Sequence, residues 1–186
     1  MKKILYLFIC IMFISGCGNM GNTPTKKVEA FLNKYQTNDE DVMKDLDTTL
    51  ISDSNLTEDE RSDYREFMKK HYQDLTYKIK DEKIDGKNAT VTTEVTVRNY
   101  ADVVNEANEY KLKNADKFTS TDTFASYRLN KLKDVTKTET YTINFYLRKD
   151  NNDWKLQDLN EEDQSKINGL YGVKEDTVLS DVTNNS

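Results

Sequence analysis

Two stretches of the sequence alternate between apolar and polar residues at every second position. One runs from Ala89 to Val97 and the other from Tyr141 to Leu147. Because successive side chains of a β-strand point to opposite faces of its sheet, this alternation predicts strands with one apolar and one polar face. The apolar face must be covered, so the rest of the chain has to supply that cover.

A first antiparallel hairpin is predicted around the Asp85-Gly86 turn. Before the turn, Tyr77 and Asp81 share one face of a strand. Placing Tyr77 on the same face as Val95 requires a loop with an odd number of residues, so we expect three residues around the glycine. Asp81 would then lie on the covered face of the sheet.

A second hairpin is predicted around the four-residue turn 150–153. Its register places Leu147 opposite Leu156, and then Phe145 opposite Asp158. Charged and polar side chains on a covered face are of interest because they must be paired, protonated or open to a pocket. The polar residues expected on the covered face are Asp81, Thr93, Glu139 and Asp158.

Three helices are predicted before the strands, and these supply the cover. Pro24 indicates the first turn of a helix over 24–36, and a shorter amphipathic turn or two follows around Val42–Leu46. The capping box Thr57–Glu60 begins a third helix over 57–75. The apolar stripe of this third helix consists of Tyr64, Phe67, Met68, His71, Tyr72 and Leu75.

The residues between the two hairpins, 101–135, show helical spacing and predict two short helices. A further helix is expected within 161–171, and 173–186 is expected to be a disordered tail. We therefore predict one α+β domain over 23–172. Its N-terminal helices pack on a curved, cone-like antiparallel sheet, with a helical insertion between the hairpins.

The start of the chain indicates export. Two lysines precede the unbroken apolar run Ile4–Ile14, which is far shorter than the ~20 residues needed to span a bilayer, so it predicts a signal peptide. The next residues, Ile14-Ser15-Gly16-Cys17, resemble the lipobox of bacterial lipoproteins. The alternative is a buried cysteine that follows a chance apolar run.

The lipobox resemblance implies cleavage between Gly16 and Cys17, with a diacylglyceryl group on Cys17. Residues 1–16 would then be the signal peptide and residues 17–22 a lipidated linker. We therefore expect a lipoprotein anchored to the extracytoplasmic face of the cell membrane, and several acyl chains would make that anchor stable.

The order of the elements resembles the nuclear-transport-factor-2-like superfamily, and within it the small bacterial lipoproteins of unknown function. The segment 23–32 (TPTKKVEAFL), the helix Asp41–Asp47 and the closing segment 151–159 (NNDWKLQDL) carry this resemblance over most of 23–160. It implies a sheet wrapped around a long helix, with a pocket at the wide end. The insertion 101–135 departs from the usual strand-to-strand connection and alters the rim of that pocket.

Composition excludes several functional classes. The chain carries 27 basic and 33 acidic residues, a net charge of −6, so it has no overall basic field for a nucleic acid. Six glycines, three of them at or before residue 21, leave no phosphate-binding loop. One histidine, and no thiol beyond Cys17 after the leader, leave no zinc site and no disulfide. We expect no cofactor.

Three functions stay open after these exclusions. The first, which we predict, is a non-catalytic binding or scaffold module of the cell envelope for a protein, peptide or wall-fragment ligand. The second is an isomerase- or dehydratase-type enzyme that uses the pocket, and the third is a structural spacer with a filled pocket. No catalytic or metal residue is assigned. The predicted pocket residues are Asp158, His71, Tyr64 and Thr93.

Two of these pocket residues have plainer interpretations. A lone histidine on an apolar helix face, such as His71, is more often a core residue than a ligand or base. Asp158 could be solvated at the end of its strand. The functional hypothesis is that Asp158 lies at the mouth of the pocket, with Tyr64 or His71 across from it.

Overall fold

The computed structural model describes residues 22–120 and 123–174. The predicted leader 1–16, Gly16, Cys17, and most of the predicted linker and tail lie outside these residues. Among the described residues, no helix is both long and apolar enough to cross a membrane. The elements, in chain order, are α1 Pro24–Gln36, α2 Glu40–Ser52, α3 Glu58–Asp74, β1 Thr76–Asp85, β2 Asn88–Arg98, α4 Ala101–Lys113, a 3₁₀ turn Ala115–Lys117, α5 Phe124–Lys133, β3 Thr138–Asp150, β4 Asp153–Leu156 and α6 Glu161–Ile167.

The four strands form one antiparallel sheet in the order β1-β2-β3-β4. In β2 every second residue from Ala89 to Val97 is buried, as the alternation predicts. In β3 the residues Ile143, Phe145 and Leu147 are buried in the same way. The predicted α+β class, with N-terminal helices preceding and covering an antiparallel sheet, is confirmed.

The first hairpin turns differently from the prediction. Its loop consists of residues 86 and 87 only, rather than three residues. Tyr77 nevertheless pairs with Val95, because a β-bulge next to Asp81 supplies the extra residue. Beyond the bulge, Asp81 pairs with Thr92 on the exposed face, so the prediction that Asp81 lies on the covered face is wrong.

The second hairpin has the predicted register at its turn. Leu147 pairs with Leu156, and residues 151 and 152 both adopt positive φ, as a tight two-residue turn requires. The strand β4 ends at Leu156, however, and Asp158 lies exposed in the loop that follows. Its predicted pairing with a β3 residue is therefore wrong. Glu139, also expected on the covered face, is exposed.

Helices α1 and α3 begin where the sequence predicts. Pro24 occupies the first turn of α1, and Thr57 and Glu60 form the predicted capping box of α3. Val28 and Leu32 of α1 are fully buried against the sheet. They belong to a sheet cluster that consists of Val28, Leu32, Leu75, Ala89, Val91, Val95, Val97, Ile143, Phe145, Leu147, Trp154 and Ile167.

Two helices differ in length from the prediction. α2 has 13 residues rather than one or two turns, and Ile51 near its end is 67 % exposed. α6 ends at Ile167, and both Leu170 and Tyr171 beyond it are exposed. In both cases the structure leaves apolar residues at or beyond the helix end exposed.

The insertion 101–135 forms the two helices expected of it, α4 and α5. Together with α3 they build a second apolar core that is separate from the sheet cluster. This insertion cluster consists of Leu56, Tyr64, Tyr100, Val104, Ala125, Leu129, Leu132 and Val135. The chain therefore has two adjoining cores: α3 contributes Tyr64 to the insertion cluster, and Leu75, the residue directly after α3, belongs to the sheet cluster.

The segment after α6 returns to the core at Gly169. This residue has φ +70°, and its carbonyl oxygen accepts a hydrogen bond of 2.8 Å from the backbone N–H of Tyr100. A Cβ at this position would overlap the carbonyl oxygen of Arg98 and lie 3.0 Å from the Tyr100 ring. Both the backbone conformation and the space therefore require glycine.

We predict that Gly169→Ala lowers the free energy of unfolding by about 2–4 kcal/mol, because left-handed strain and overpacking add. Gly86→Ala is the matched control, since Gly86 has φ +57° but no atom within 4 Å of its added Cβ. It should cost only about 1–2 kcal/mol. Urea denaturation of both variants measures the difference, and equal losses would contradict the tight approach at Gly169.

Candidate ligand-binding cleft

A cleft of about 870 Å³ lies between α2 and the other helices. It is located where the two apolar cores meet. On the side of the sheet cluster its walls include Phe31, Tyr35, Leu156 and Leu159. On the side of the insertion cluster they include Leu50, Tyr64, Phe67 and Leu132. We call these two sides the sheet end and the insertion end.

α2 forms one long wall of the cleft. Its lining residues extend from Asp41 to Leu50, with Leu46 between them, and this stretch spans about 13 Å of helix axis. The helix is held to α3 by Arg65, whose Nε lies 2.6 Å and Nη2 3.3 Å from the two carboxylate oxygens of Asp47. The cleft is therefore elongated along α2.

Tyr64 and Arg128 contact each other at the insertion end. The Nε–H of Arg128 donates to Tyr64 Oη at 2.9 Å, and the Tyr64 hydroxyl donates to the Ala125 carbonyl oxygen at 3.1 Å. The guanidinium carbon lies 5.5 Å from the ring centres of both Tyr64 and Phe124. Burial raises the pKa of Tyr64, against the opposing charge of Arg128, so the hydroxyl stays protonated.

The buried carboxylate of Glu60 positions this pair. One of its oxygens accepts from the backbone N–H and the hydroxyl of Thr57, at 2.9 and 3.0 Å. The other accepts from the hydroxyls of Thr123 and Ser126, the latter at 3.0 Å. Burial by itself would raise the pKa of Glu60, but these hydrogen bonds outweigh it and lower the pKa to about 2. Glu60 thus joins the first turns of α3 and α5.

The sheet end of the cleft carries most of its negative charge. Lys34 of α1 is paired with Asp41 and, at 3.3 Å, with Asp39. Asp45 and Asp158 also line this end, and both are exposed. The cleft therefore has acidic residues at the sheet end and the arginine at the insertion end.

Two of the four predicted pocket residues lie in this cleft. Tyr64 and Asp158 both line the cleft, at opposite ends. This placement agrees with the hypothesis that Tyr64 lies across from Asp158. Thr93 lies elsewhere: its side chain is fully buried under the sheet, and its Oγ1 has no hydrogen-bond partner among the described residues. His71 also lies outside the cleft, so of the two alternatives across from Asp158 only Tyr64 lines it.

His71 is held in the core by both of its ring nitrogens. Nε2 donates to the carbonyl oxygen of Ile167 at 2.9 Å, and Nδ1 lies 3.2 Å from the Tyr100 hydroxyl, which donates to it. Burial lowers the pKa of His71 to about 4, so the ring is neutral at pH 7. It borders a smaller cavity of about 420 Å³, which shares the lining residues Phe67, Tyr100 and Leu132 with the cleft. His71 is only 2 % exposed, as expected of a core residue.

Sequence reasoning missed Arg128 and half of the role of Glu60. The spacing of Phe124 and Arg128, four residues apart on one helix, was an available signal for a ring–cation contact. No sequence signal shows that Thr123 and Ser126 reach a carboxylate more than sixty positions earlier. Within residues 22–120 and 123–174, no group of three or more metal-ligating side chains could hold a metal ion.

We predict that Glu60→Gln lowers the free energy of unfolding by about 2–3 kcal/mol at pH 7, because the charge-assisted hydrogen bonds are lost. The folded pKa of about 2 lies below the ordinary value of 4.5. The ionised carboxylate therefore stabilises the fold above about pH 4.5, and its contribution is lost as the pH falls towards 2. Urea denaturation across this range should show the wild-type advantage shrinking.

Glu58→Gln is the control for this measurement. Glu58 is exposed in the same first turn of α3, so its replacement removes an equal charge without the buried hydrogen bonds. It should change the stability by less than about 1 kcal/mol. A Glu60→Gln deficit that stays constant down to pH 2 would contradict the role of the ionised carboxylate.

Comparison with known proteins finds no matching family model, no similar curated sequence and no similar solved structure. The resemblance to the nuclear-transport-factor-2-like superfamily and the lipobox interpretation therefore stay predictions. What the chain does must be inferred from the chemistry of its own cleft.

Proposed function

We propose that the chain is a membrane-anchored extracytoplasmic lipoprotein with a non-catalytic role: it binds a ligand in the cleft beside α2. The open apolar cleft carries this proposal. Its volume of about 870 Å³ lies within the range of about 300–1,000 Å³ that ligand sites occupy. A spacer would gain nothing from such a space, since unfilled apolar volume reduces stability.

The binding role is favoured over the enzymatic alternative by the position of the histidine. His71 is the only histidine of the chain, and both ring nitrogens are engaged outside the cleft. Catalysis by an isomerase or dehydratase requires a general acid or base that can reach the substrate.

We predict that the mature chain binds the apolar dye N-phenylnaphthylamine in the cleft, with a rise in dye fluorescence. Leu46→Trp should weaken this binding at least fivefold, because the larger side chain fills the middle of the cleft. Thr48→Trp is the matched control, since Thr48 lies exposed on the same helix and does not line the cleft. Equal binding by both variants would contradict the cleft as the site.

The anchoring part of the proposal gains support from Asn22, the last residue of the predicted linker. Its side-chain amide donates to the carbonyl oxygen of Asn152 at 2.6 Å, and its Oδ1 accepts from the backbone N–H of Trp154 at 3.1 Å. The chain between Cys17 and Asn22 can span at most about 17 Å. A lipid on Cys17 would therefore keep the β3–β4 turn near the membrane.

This attachment point sets the orientation of the domain. β3 extends about 40 Å from the turn to Thr138, next to the insertion 101–135. The segments at the turn, 22–29, 81–87 and 148–155, carry nearly equal numbers of basic and acidic residues, whereas the chain without residues 1–16 has a net charge of −8. Repulsion by anionic lipid is therefore small at this end. The insertion end of the cleft faces away from the membrane.

Energy transfer to a lipid-bound acceptor tests this orientation. The mature chain has no free thiol once Cys17 is lipidated, so Lys87→Cys and Asn130→Cys each provide a single labelling site. In vesicles, a donor at position 87 should transfer more efficiently than one at position 130. Equal transfer would contradict the orientation. Adding Cys17→Ser should abolish transfer from both sites, and persistent transfer would contradict the lipid anchor.

A further inference from the structure

Arg128 differs from two other half-buried arginines, Arg65 of α3 and Arg98 of β2. Arg65 and Arg98 each bind a carboxylate, that of Asp47 and that of Asp74. Arg128 is half-buried too, but within the described ranges no carboxylate lies within 4 Å of it. Its one hydrogen bond to a described residue is the Nε–H bond to Tyr64. The two terminal Nη groups of Arg128 are left for another acceptor.

The carboxylate of Glu60, the acid that lies closest along the hydrogen-bond network of α3 and α5, cannot serve as that acceptor. Each oxygen of the Glu60 carboxylate already accepts two hydrogen bonds, from Thr57 on one side and from Thr123 and Ser126 on the other. These bonds hold Glu60 at the helix starts, away from the cleft. Within residues 22–120 and 123–174, a cation thus lies in the wall of an apolar cleft without a carboxylate partner.

The aromatic neighbours of Arg128 restrict where its free donors can act. The guanidinium carbon lies 5.5 Å from the ring centres of Tyr64 and Phe124, and the Tyr64 hydroxyl holds the Nε side. A guanidinium with a fixed orientation binds a planar or tetrahedral oxyanion through two parallel N–H bonds. A neutral polar group would use less of this donor set.

The remainder of the cleft specifies what the anion is attached to. From Arg128 the cleft continues along α2 between apolar walls, for about 13 Å of helix axis between Leu50 and Asp41. At its other end Asp45 and Asp158 would repel a second negative charge. The chemistry that fits is a linear apolar chain with a single oxyanion at one end.

We propose that the ligand of the cleft is an anionic amphiphile whose carboxylate or phosphate group binds Arg128 and whose apolar chain lies along α2. This proposal rests on the proposed binding function and names its ligand class. Both head groups present the same oxyanion chemistry, so the choice between them is left to direct comparison of the two.

Titration with dodecanoate, dodecyl phosphate and dodecanol tests the proposal. The protein is the chain from residue 17 to 186 with Cys17→Ser, which avoids detergent. The wild-type cleft should bind at least one of the two anions more than tenfold more tightly than dodecanol, which has the same chain without the charge. The tighter of the two anions identifies the head group.

Arg128→Gln should remove that preference, with a loss of at least tenfold for the anion and less than twofold for dodecanol. Arg128→Lys keeps the charge and should retain part of the preference, even if the glutamine variant is too unstable to use. Lys131→Gln is the matched control, because Lys131 is an exposed cation on the same helix that does not line the cleft. It should leave all affinities unchanged.

The outcomes separate this proposal from the binding function itself. Dodecanol binding as tight as that of both anions, or an anion preference that survives Arg128→Gln, overturns the anionic ligand but keeps the cleft as a binding site. Absence of binding for all three alkyl compounds and for N-phenylnaphthylamine overturns the binding function.

Discussion

The carboxylate of Glu60 is the interaction on which the arrangement of the helices depends. A capping box satisfies the first N–H groups of one helix, but here the same carboxylate also receives two hydroxyls from the start of α5. A buried charge is tolerable only when it is fully hydrogen-bonded, and Glu60 meets this condition only if α5 begins beside α3. The insertion is therefore fixed in position by electrostatics as well as by apolar packing.

The cleft follows from having two cores instead of one. The side chains of the sheet cluster pack on a sheet face to which every second residue of a strand points. Those of the insertion cluster form stripes on helices, where the repeat is 3.6 residues. These patterns do not interlock where they meet, and α2 bridges the gap. Its ties include Met43, which is buried, and the half-exposed ion pair Asp47–Arg65, which contributes at most about 1 kcal/mol. Space therefore persists under α2.

Features that depend on local periodicity could be predicted from the sequence, and features that depend on distant partners could not. The strands β2 and β3 and the capping box follow from spacing alone. The predicted face of Asp81 was wrong because two arrangements place Tyr77 on the same face as Val95: a loop with an odd number of residues, or a two-residue loop with a β-bulge. Only the assembled sheet selects between them. Asp158 was misplaced because the end of β4 is set by tertiary contacts rather than by alternation.

The same division applies to the candidate site. Tyr64 could be assigned to the cleft from its position on the α3 stripe, although His71 on the same stripe lies outside the cleft. Arg128 could not, since a charged residue on a short amphipathic helix is ordinarily solvated. Its significance appears only when the Glu60 carboxylate proves to be hydrogen-bonded elsewhere, which leaves Arg128 without a carboxylate partner among the residues that the structure describes.

In such a cleft the two ends contribute differently to recognition: burial of an alkyl chain along α2 yields about 25 cal/mol per Å² whatever the head group. A hydrogen-bonded pair with a half-buried guanidinium adds about 1.5–3 kcal/mol only for an anion. Affinity thus grows with the length of the chain, while selectivity for charge resides at Arg128.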